Sequence, residues 1–400
     1  MGCVTAELPH VPVNAGNQPL RQPFDSKERS GYMERITQSQ LMRLFTIFLF
    51  SSPVIFLIAP MTEIGGFQAW IGLVVSYAQG LLVAYFSIKL GRIEPTVQWF
   101  KFGGRIVGKW IHVPIVLMIS LFSIYLSSIA LRRYIDFFAS IYMPDTPTWV
   151  LGIVIAICAA LAVRSGLEAI ARFAGSVFFL TILFGILVPF FVGKELQTDM
   201  AVAFVSHYDF KQIMLTSVYA FPWCGEMFFV LILVANVKEP RKTMRSMLIA
   251  ALLSMMFIIM TWLFCMMLFG PKLTGHLTYP VLEMLRFIRI GDFLENVDPL
   301  LVSWWTLCML VKVSLFLYTG TLGISYLLNM RDYRPLSFSL SIFMTGLAMG
   351  IASNYGELEE FLKSLPWTVI IYTLELLLPV VYLIVYRLRG RKLSPEQQNK

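Results

Sequence analysis

The apolar positions of this chain come in long uninterrupted blocks, without the alternation of a half-buried strand or the one-sided stripe of a soluble helix. Blocks long enough to cross about 30 Å of hydrocarbon, each near the usual 20 or so residues, lie at about 37–60, 67–90, 113–135, 147–164, 173–193, 212–237, 245–269, 299–328, 336–352 and 367–387. They predict an all-α polytopic membrane protein with about ten transmembrane helices. Two of the blocks are interrupted. The first carries Ser51-Ser52-Pro53 and the sixth carries Phe221-Pro222-Trp223-Cys224-Gly225-Glu226. Proline removes a backbone donor and clashes with the preceding turn, so both helices are expected to be discontinuous at membrane depth. The breaks occupy corresponding positions in two five-helix halves, about 37–193 and 212–388. That is the pattern of an inverted repeat with a substrate site at mid-membrane. The plainer reading is that Pro53 and Pro222 only kink packed helices.

Composition agrees with the pattern: 57% of residues are hydrophobic and 14% charged, and mean hydropathy is +0.71. Lys and Arg divide unevenly between the loops. With both ends cytoplasmic, about 23 lie inside and about 8 outside, and Lys312 within a span completes the 32. This asymmetry explains the formal charge of +8 without a nucleic-acid partner.

Orientation gives the breaks a chemistry. The second halves of the first and sixth spans both start at mid-membrane, near Val54 and Gly225, and their free amide donors suit a ligand carboxylate. The carbonyl ends of the first halves, near Phe50 and Ala220, suit an ammonium group or a cation. An amino acid presents both groups. Three ionisable residues lie inside the spans, Glu226, Lys312 and Glu375, each costing at least about 2.5 kcal/mol at the bilayer centre unless it faces a partner or water. Glu226 reads as a grip for a ligand ammonium, a proton exchanger, or a carboxylate that caps its helix half. Lys312 shares a face with Trp305, Cys308 and Thr319 and should look inward. It either takes the place where related transporters hold a cation or pairs with a glutamate. Glu375, followed by Pro379, reads equally as structural or functional.

Outside the spans the readings are plainer. Residues 1–34 carry Pro9, Pro12, Pro19 and Pro23 without periodicity and read as disordered, with Met33 as an alternative start. Residues 35–390 form the membrane domain, and 391–400 form a cytoplasmic tail. Ala6 stands where myristoylation wants Ser or Thr. The segment Glu94 to Trp110 mixes Lys101, Arg105 and Lys109 with Trp99, Phe100 and Phe102; it reads either as an interfacial segment or as an ordinary loop. Between Lys272 and Asp298, Pro280 should open a short amphipathic helix bearing Val281, Leu282, Leu285, Phe287 and Ile288, an outer lid. Gly346 and Gly350 form a small-x-x-x-small pair suited to close helix packing, or to dimerisation. The cysteines have no metal or redox spacing and read as small buried residues. No nucleotide-binding, zincin or serine-hydrolase motif occurs, and His112, His207 and His276 sit at span edges or in loops, so neither a cofactor nor an enzyme is expected.

Several stretches together carry a likeness. Ile36-Thr37-Gln38-Ser39-Gln40 opens the first span, and Asn236-Val237-Lys238-Glu239-Pro240-Arg241-Lys242 follows the broken sixth. Tyr279-Pro280-Val281-Leu282-Glu283 leads into Phe293-Leu294-Glu295-Asn296-Val297-Asp298. In their order the chain resembles the B subunit of the spore germinant receptors, the spore permease branch of the amino acid, polyamine and organocation transporter superfamily. The likeness covers roughly Thr37 to Arg387. Asn296 stands where a basic residue is expected, which puts an outer salt bridge to Asp298 in doubt. The resemblance implies a five-plus-five inverted repeat in the inner membrane of the spore. There it would bind a small nutrient, often an amino acid, and signal germination with A and C subunits. Its ligand cradle would comprise Ser51, Ser52, Pro53 and Val54 with Phe221, Trp223, Gly225 and Glu226, and Ser123 and Lys312 as further wall. The competing reading is a cation- or proton-coupled amino-acid transporter.

Overall fold

The computed structural model describes residues 34–192, 196, 200, 202–206, 208–286 and 298–389. The expected N-terminal segment and C-terminal tail lie outside them, as do Phe287, Ile288 and the stretch around Asn296. Among the described residues nine helices are long and apolar enough to cross a membrane, or ten with one bent pair. Their outer faces carry large exposed apolar side chains such as Ile186, Ile342 and Leu365, which suits hydrocarbon as solvent.

The first span opens at Thr37, whose hydroxyl accepts from the Gln40 amide at 3.2 Å while the Gln40 side chain accepts from the Thr37 amide at 2.8 Å. This reciprocal cap is what Thr-x-x-Gln encodes. Just before it, Ile36 donates to Asn236 O at 2.8 Å and accepts from Lys238 N at 3.0 Å. The start of the first span is thereby fastened to the end of the sixth.

The spans that follow are Ala69–Gly91, Lys109–Ile141, Thr148–Ser165, Leu167–Val192, Phe210–Asn236, Thr243–His276, Asp298–Leu327, Leu336–Gly350 and Leu365–Leu388. Their packing partners exchange as an inverted repeat requires. The first span packs on the seventh as the sixth packs on the second, and the first packs on the fifth as the sixth packs on the tenth. The third packs on the eighth and the fourth on the ninth, each with its own counterpart.

The contact between third and eighth spans is made close by small residues. Ser123 Oγ donates to Phe316 O at 2.7 Å and Ser127 Oγ to Val313 O at 2.9 Å. A Cβ at Gly320 would meet Ser120 O at 3.1 Å, and one at Gly323 would run into the Ser120 hydroxyl. Gly346 and Gly350 behave otherwise: among the described residues nothing lies within 4 Å of a Cβ at either, so their spacing reports no helix packing there. Gly323→Leu is therefore expected to cost about 1–3 kcal/mol through overpacking, whereas Gly346→Leu stays within about 0.5 kcal/mol of the parent. Thermal unfolding of the two variants in the same detergent checks the contrast.

Order extends into the connecting segments. Residues Trp99–Val107 form a helix whose Trp99, Phe100 and Phe102 are buried against the protein, leaving Lys101 and Arg105 exposed and Trp110 94% exposed. His112, expected at a span edge, is buried inside the third helix. Its ring nitrogens lie 2.8 Å from Tyr382 Oη and 2.8 Å from Phe100 O. The helix expected after Pro280 is present as Pro280–Arg286, with Val281, Leu282 and Leu285 buried. Asp298 does find partners, Tyr142 Oη at 2.6 Å and Arg286 Nε at 3.9 Å, so its anchoring does not depend on position 296. Of the described cysteines, Cys224, Cys265 and Cys308 are buried and Cys158 is exposed.

Candidate functional site

Both interruptions exist, but neither is an unwound gap. In the first span the helix Gln38–Phe50 ends at a turn, and a second short helix begins at Pro53. Ser51 and Ser52 keep right-handed helical angles. What changes is the hydrogen bonding. Ile55 N and Phe56 N both donate to Ser52 O, at 3.2 and 3.0 Å. Ser51 O instead accepts from Trp305 Nε1 at 2.6 Å. Phe48 O accepts from the Ser51 hydroxyl at 3.2 Å and from Lys312 Nζ at 3.4 Å. The sixth span runs as α-helix through Pro222 to Gly225 and tightens to 3₁₀ over Glu226–Phe229. A mid-helix stretch of 3₁₀ is a common form of hinge.

The carbonyl end near the first break was expected to suit an ammonium group, and the chain fills that place with its own. Lys312 Nζ lies 2.6 Å from Glu226 Oε2, with side chains 3% and 6% exposed. It also sits over the rings of Phe48 and Phe316, at 5.2 and 5.7 Å. Of the two roles left open for Lys312, pairing with a glutamate is the one realised.

Beside this pair is a cavity of about 40 Å³, with Ser52, Arg133, Trp223, Glu226, Lys312 and Trp367 on its wall. A water needs about 10–15 Å³ on this measure, so the space takes a few waters and must widen to admit a nutrient. Its apolar lining comes from Leu126, Ile129, Ala130, Phe316 and Leu362. Arg133 closes one side. Its guanidinium lies 5.1 Å from the Phe56 ring and 5.1 Å from the Trp223 ring, and donates to Glu359 Oε1 at 2.6 Å. Glu359 belongs to the helix Tyr355–Lys363, which leaves the ninth span at 95°. The bend is held by Arg132, which donates to Ala352 O at 2.6 Å, and the new helix starts at Asn354, whose side chain accepts from Glu357 N at 2.9 Å.

The predicted cradle is thus brought together only in part. Ser52, Trp223, Glu226 and Lys312 face the cavity with Pro222. Pro53 makes the kink, and the Ser51 hydroxyl is turned back on its own helix. Val54 lines a separate apolar cavity of about 60 Å³ with Phe50, Phe184 and Trp304. Phe221 stacks on Tyr372 with centroids 3.8 Å apart. Gly225 lies against Glu375. Ser123, expected as wall, is taken up by its bonds to the eighth span. Arg133, Glu359 and Trp367 were missed. Arg132 and Arg133 count as outer-side cations at the very end of an apolar run closing at 135, yet the helix continues to Ile141, two turns past Arg133. Asp136, four residues after Arg132 and 2.8 Å from it, is the sequence cue to that longer helix.

The same fold is found in solute transporters of known structure. MhsT in complex with L-phenylalanine matches with a TM-score of 0.63 at 12% identity, over 89% of this chain and 99% of that one. A Na+-coupled sialic acid symporter matches with a TM-score of 0.61 at 14% identity, over 90% and 85%. Mhp1, a nucleobase-cation-symport-1 family transporter, matches with a TM-score of 0.60 at 12% identity, over 91% and 81%. The fold is that of the LeuT-type five-plus-five transporters. Within that class the chain belongs to the spore permease family, whose description is spore germination protein and whose model matches residues 35–356. Spore germination protein KB of Bacillus subtilis is 24% identical over 380 residues, 92% of this chain and 99% of that one. YfkT, a Bacillus subtilis chain also named for spore germination, is 29% identical over 68% of this chain and 74% of its own length. Spore germination protein XB of Bacillus anthracis is 22% identical over 66% of this chain and 74% of its own length.

Proposed function

We propose that this chain is the B subunit of a nutrient germinant receptor and that it takes a small zwitterionic nutrient, an amino acid, into the cavity between the first, third, sixth and eighth spans. One observation carries the reading: a guanidinium, Arg133, and a carboxylate, Glu226, stand on the wall of the same cavity. An amino acid carries the complementary pair of charges, and its side chain would meet Leu126, Ile129 and Trp367. The L-phenylalanine bound to MhsT, a protein of the same fold, supports the ligand class. The ligand carboxylate would draw Arg133 from Glu359, and the ammonium would compete with Lys312 for Glu226. Binding then favours the conformation in which those two pairs are exchanged, and partner A and C subunits read the shift. Residues 35–390 form one membrane domain of two repeats in the inner membrane of the spore. Both termini are cytoplasmic, as the distribution of Lys and Arg favours. No catalytic role is proposed.

The test has two arms. Spores lacking this gene should lose the optical-density response to one amino acid while growing cells take up that amino acid normally. Normal germination with lost uptake would overturn the receptor reading in favour of a transporter. In the purified chain, that amino acid should raise the unfolding temperature. The Arg133→Gln/Glu359→Gln variant, which leaves no buried charge unpaired, should bind it at least about tenfold more weakly, since a hydrogen bond to a charged group contributes about 1.5–3 kcal/mol.

A further inference from the structure

The proposed ligand site leaves one buried acid unexplained. Glu375 in the tenth span is 0% exposed, and among the described residues neither of its carboxyl oxygens has a hydrogen-bond partner. Its position follows from local backbone form. Residues Tyr372–Leu377 are π-helical, a wider turn that changes the direction in which side chains leave the helix. The turn is held in place on both sides: the Tyr372 ring stacks on Phe221, and its hydroxyl donates to Gln79 Oε1 at 2.7 Å. The wide turn lays the carboxyl directly on the backbone of Gly225, where a Cβ would collide with Glu375 Oε2. This is the residue after which the sixth span changes from α to 3₁₀.

The ionisable groups that face Glu375 are Glu226 and Cys224 on the sixth span and Lys312 on the eighth. Lys312 is already bonded to Glu226, and the nearby Arg133 to Glu359. The cluster of Glu226, Glu375 and Lys312 therefore holds two acids and one base. Ionised together they would leave a single uncompensated negative charge in a low-dielectric interior, which is among the costliest arrangements a membrane protein can adopt. One added proton removes that charge. Glu226 already accepts from Lys312, whereas both oxygens of Glu375 are unpartnered, so the added proton is placed on Glu375.

We propose that Glu375 is a proton-binding site, the resident acid of the cluster, which carries a proton in this closed arrangement and lays a neutral carboxyl against the hinge at Gly225. The bound species is a proton taken from water: an O–H bond forms on one carboxyl oxygen, and hydroxide or buffer base is left behind. The proposal stands on burial, the absence of a partner and charge balance, and holds whichever nutrient the cavity takes.

The experiment is infrared difference spectroscopy of the full chain in lipid nanodiscs near neutral pH, parent against Glu375→Gln. The expected result is a protonated-carboxyl C=O stretch in the parent, at the end of its range typical of an acid without hydrogen bonds, sensitive to deuteration and missing from the variant. The thermal unfolding midpoint should barely move, because a neutral amide replaces a neutral acid of the same shape. If the variant instead loses a carboxylate stretch and no acid stretch, Glu375 is ionised and the proposal is overturned. Should the glutamine variant not fold, Glu375→Asp keeps an acid in the same place. Its acid band must then shift in frequency and persist, and absence of an acid band in both parent and aspartate variant overturns the proposal.

Discussion

Lys312→Met is expected to leave little folded protein, and adding Glu226→Gln is expected to restore most of it. Methionine fills the volume of the lysine stem, so packing with Phe48 and Phe316 changes little. What it removes is the ammonium 2.6 Å from Glu226. Breaking a buried pair from one side costs about 3–5 kcal/mol because the remaining charge is stranded. Set against a total stability of about 5–15 kcal/mol, that is a large fraction. In the double variant no charge is stranded, and replacing a buried ion pair by neutral groups of similar volume is often neutral. An exposed pair serves as control: Arg172 and Glu168 have side chains 70% and 43% exposed, and Arg172→Ala should cost no more than about 1 kcal/mol. Thermal unfolding with size-exclusion profiles of the parent and these three variants decides the matter. A single variant as stable as the parent, or a double variant no better than the single, would sink the account of this pair.

The same cluster marks how far the residues alone could carry the reading. The apolar blocks located the spans because a bilayer demands length and apolarity together, and both are written in order along the chain. Pro53, Pro222, Glu226 and Lys312 stood out because each is costly in a bilayer. The partner of Lys312 was not legible, since two glutamates lay within spans and which of them faces the eighth helix depends on how the helices rotate against each other. Arg133 was harder still. Hydropathy falls where Arg132 and Arg133 begin, but the helix does not end there, because Asp136, Glu359 and the carbonyls of the bend give each guanidinium group partners inside the protein. Glu359 lies on a short helix beyond a 95° turn, with no local signal connecting it to the third span. At Gly346 and Gly350 spacing specifies a face without specifying what lies opposite, and among the described residues it is Gly320 and Gly323 that make the close approach.

The two breaks were read as facing a ligand with backbone amides, and that reading made Gly225 a point where ligand and backbone meet. The geometry gives it a different neighbour. A Cβ on Gly225 runs into the Glu375 carboxyl and comes within 3.1 Å of Phe221 Cζ, so even the smallest substitution strains the junction of the sixth and tenth spans. Gly225→Ala is expected to cost about 1–3 kcal/mol by overpacking. Gly225→Trp should yield no folded chain, since an indole has nowhere to go. The cause can be isolated, because Glu375→Ala opens space where the new methyl must sit. Gly225→Ala/Glu375→Ala should then be more stable than the two single effects predict, with a coupling of about 0.5–3 kcal/mol, as residues in contact show. A sum of single effects that equals the double would mean that Gly225 is needed for hinge flexibility alone. Amino-acid binding to the same four chains separates the roles further. If the glycine touches Glu375 and not the nutrient, Gly225→Ala/Glu375→Ala keeps its affinity, whereas contact with the ligand would show as weakened binding that the second substitution leaves uncorrected.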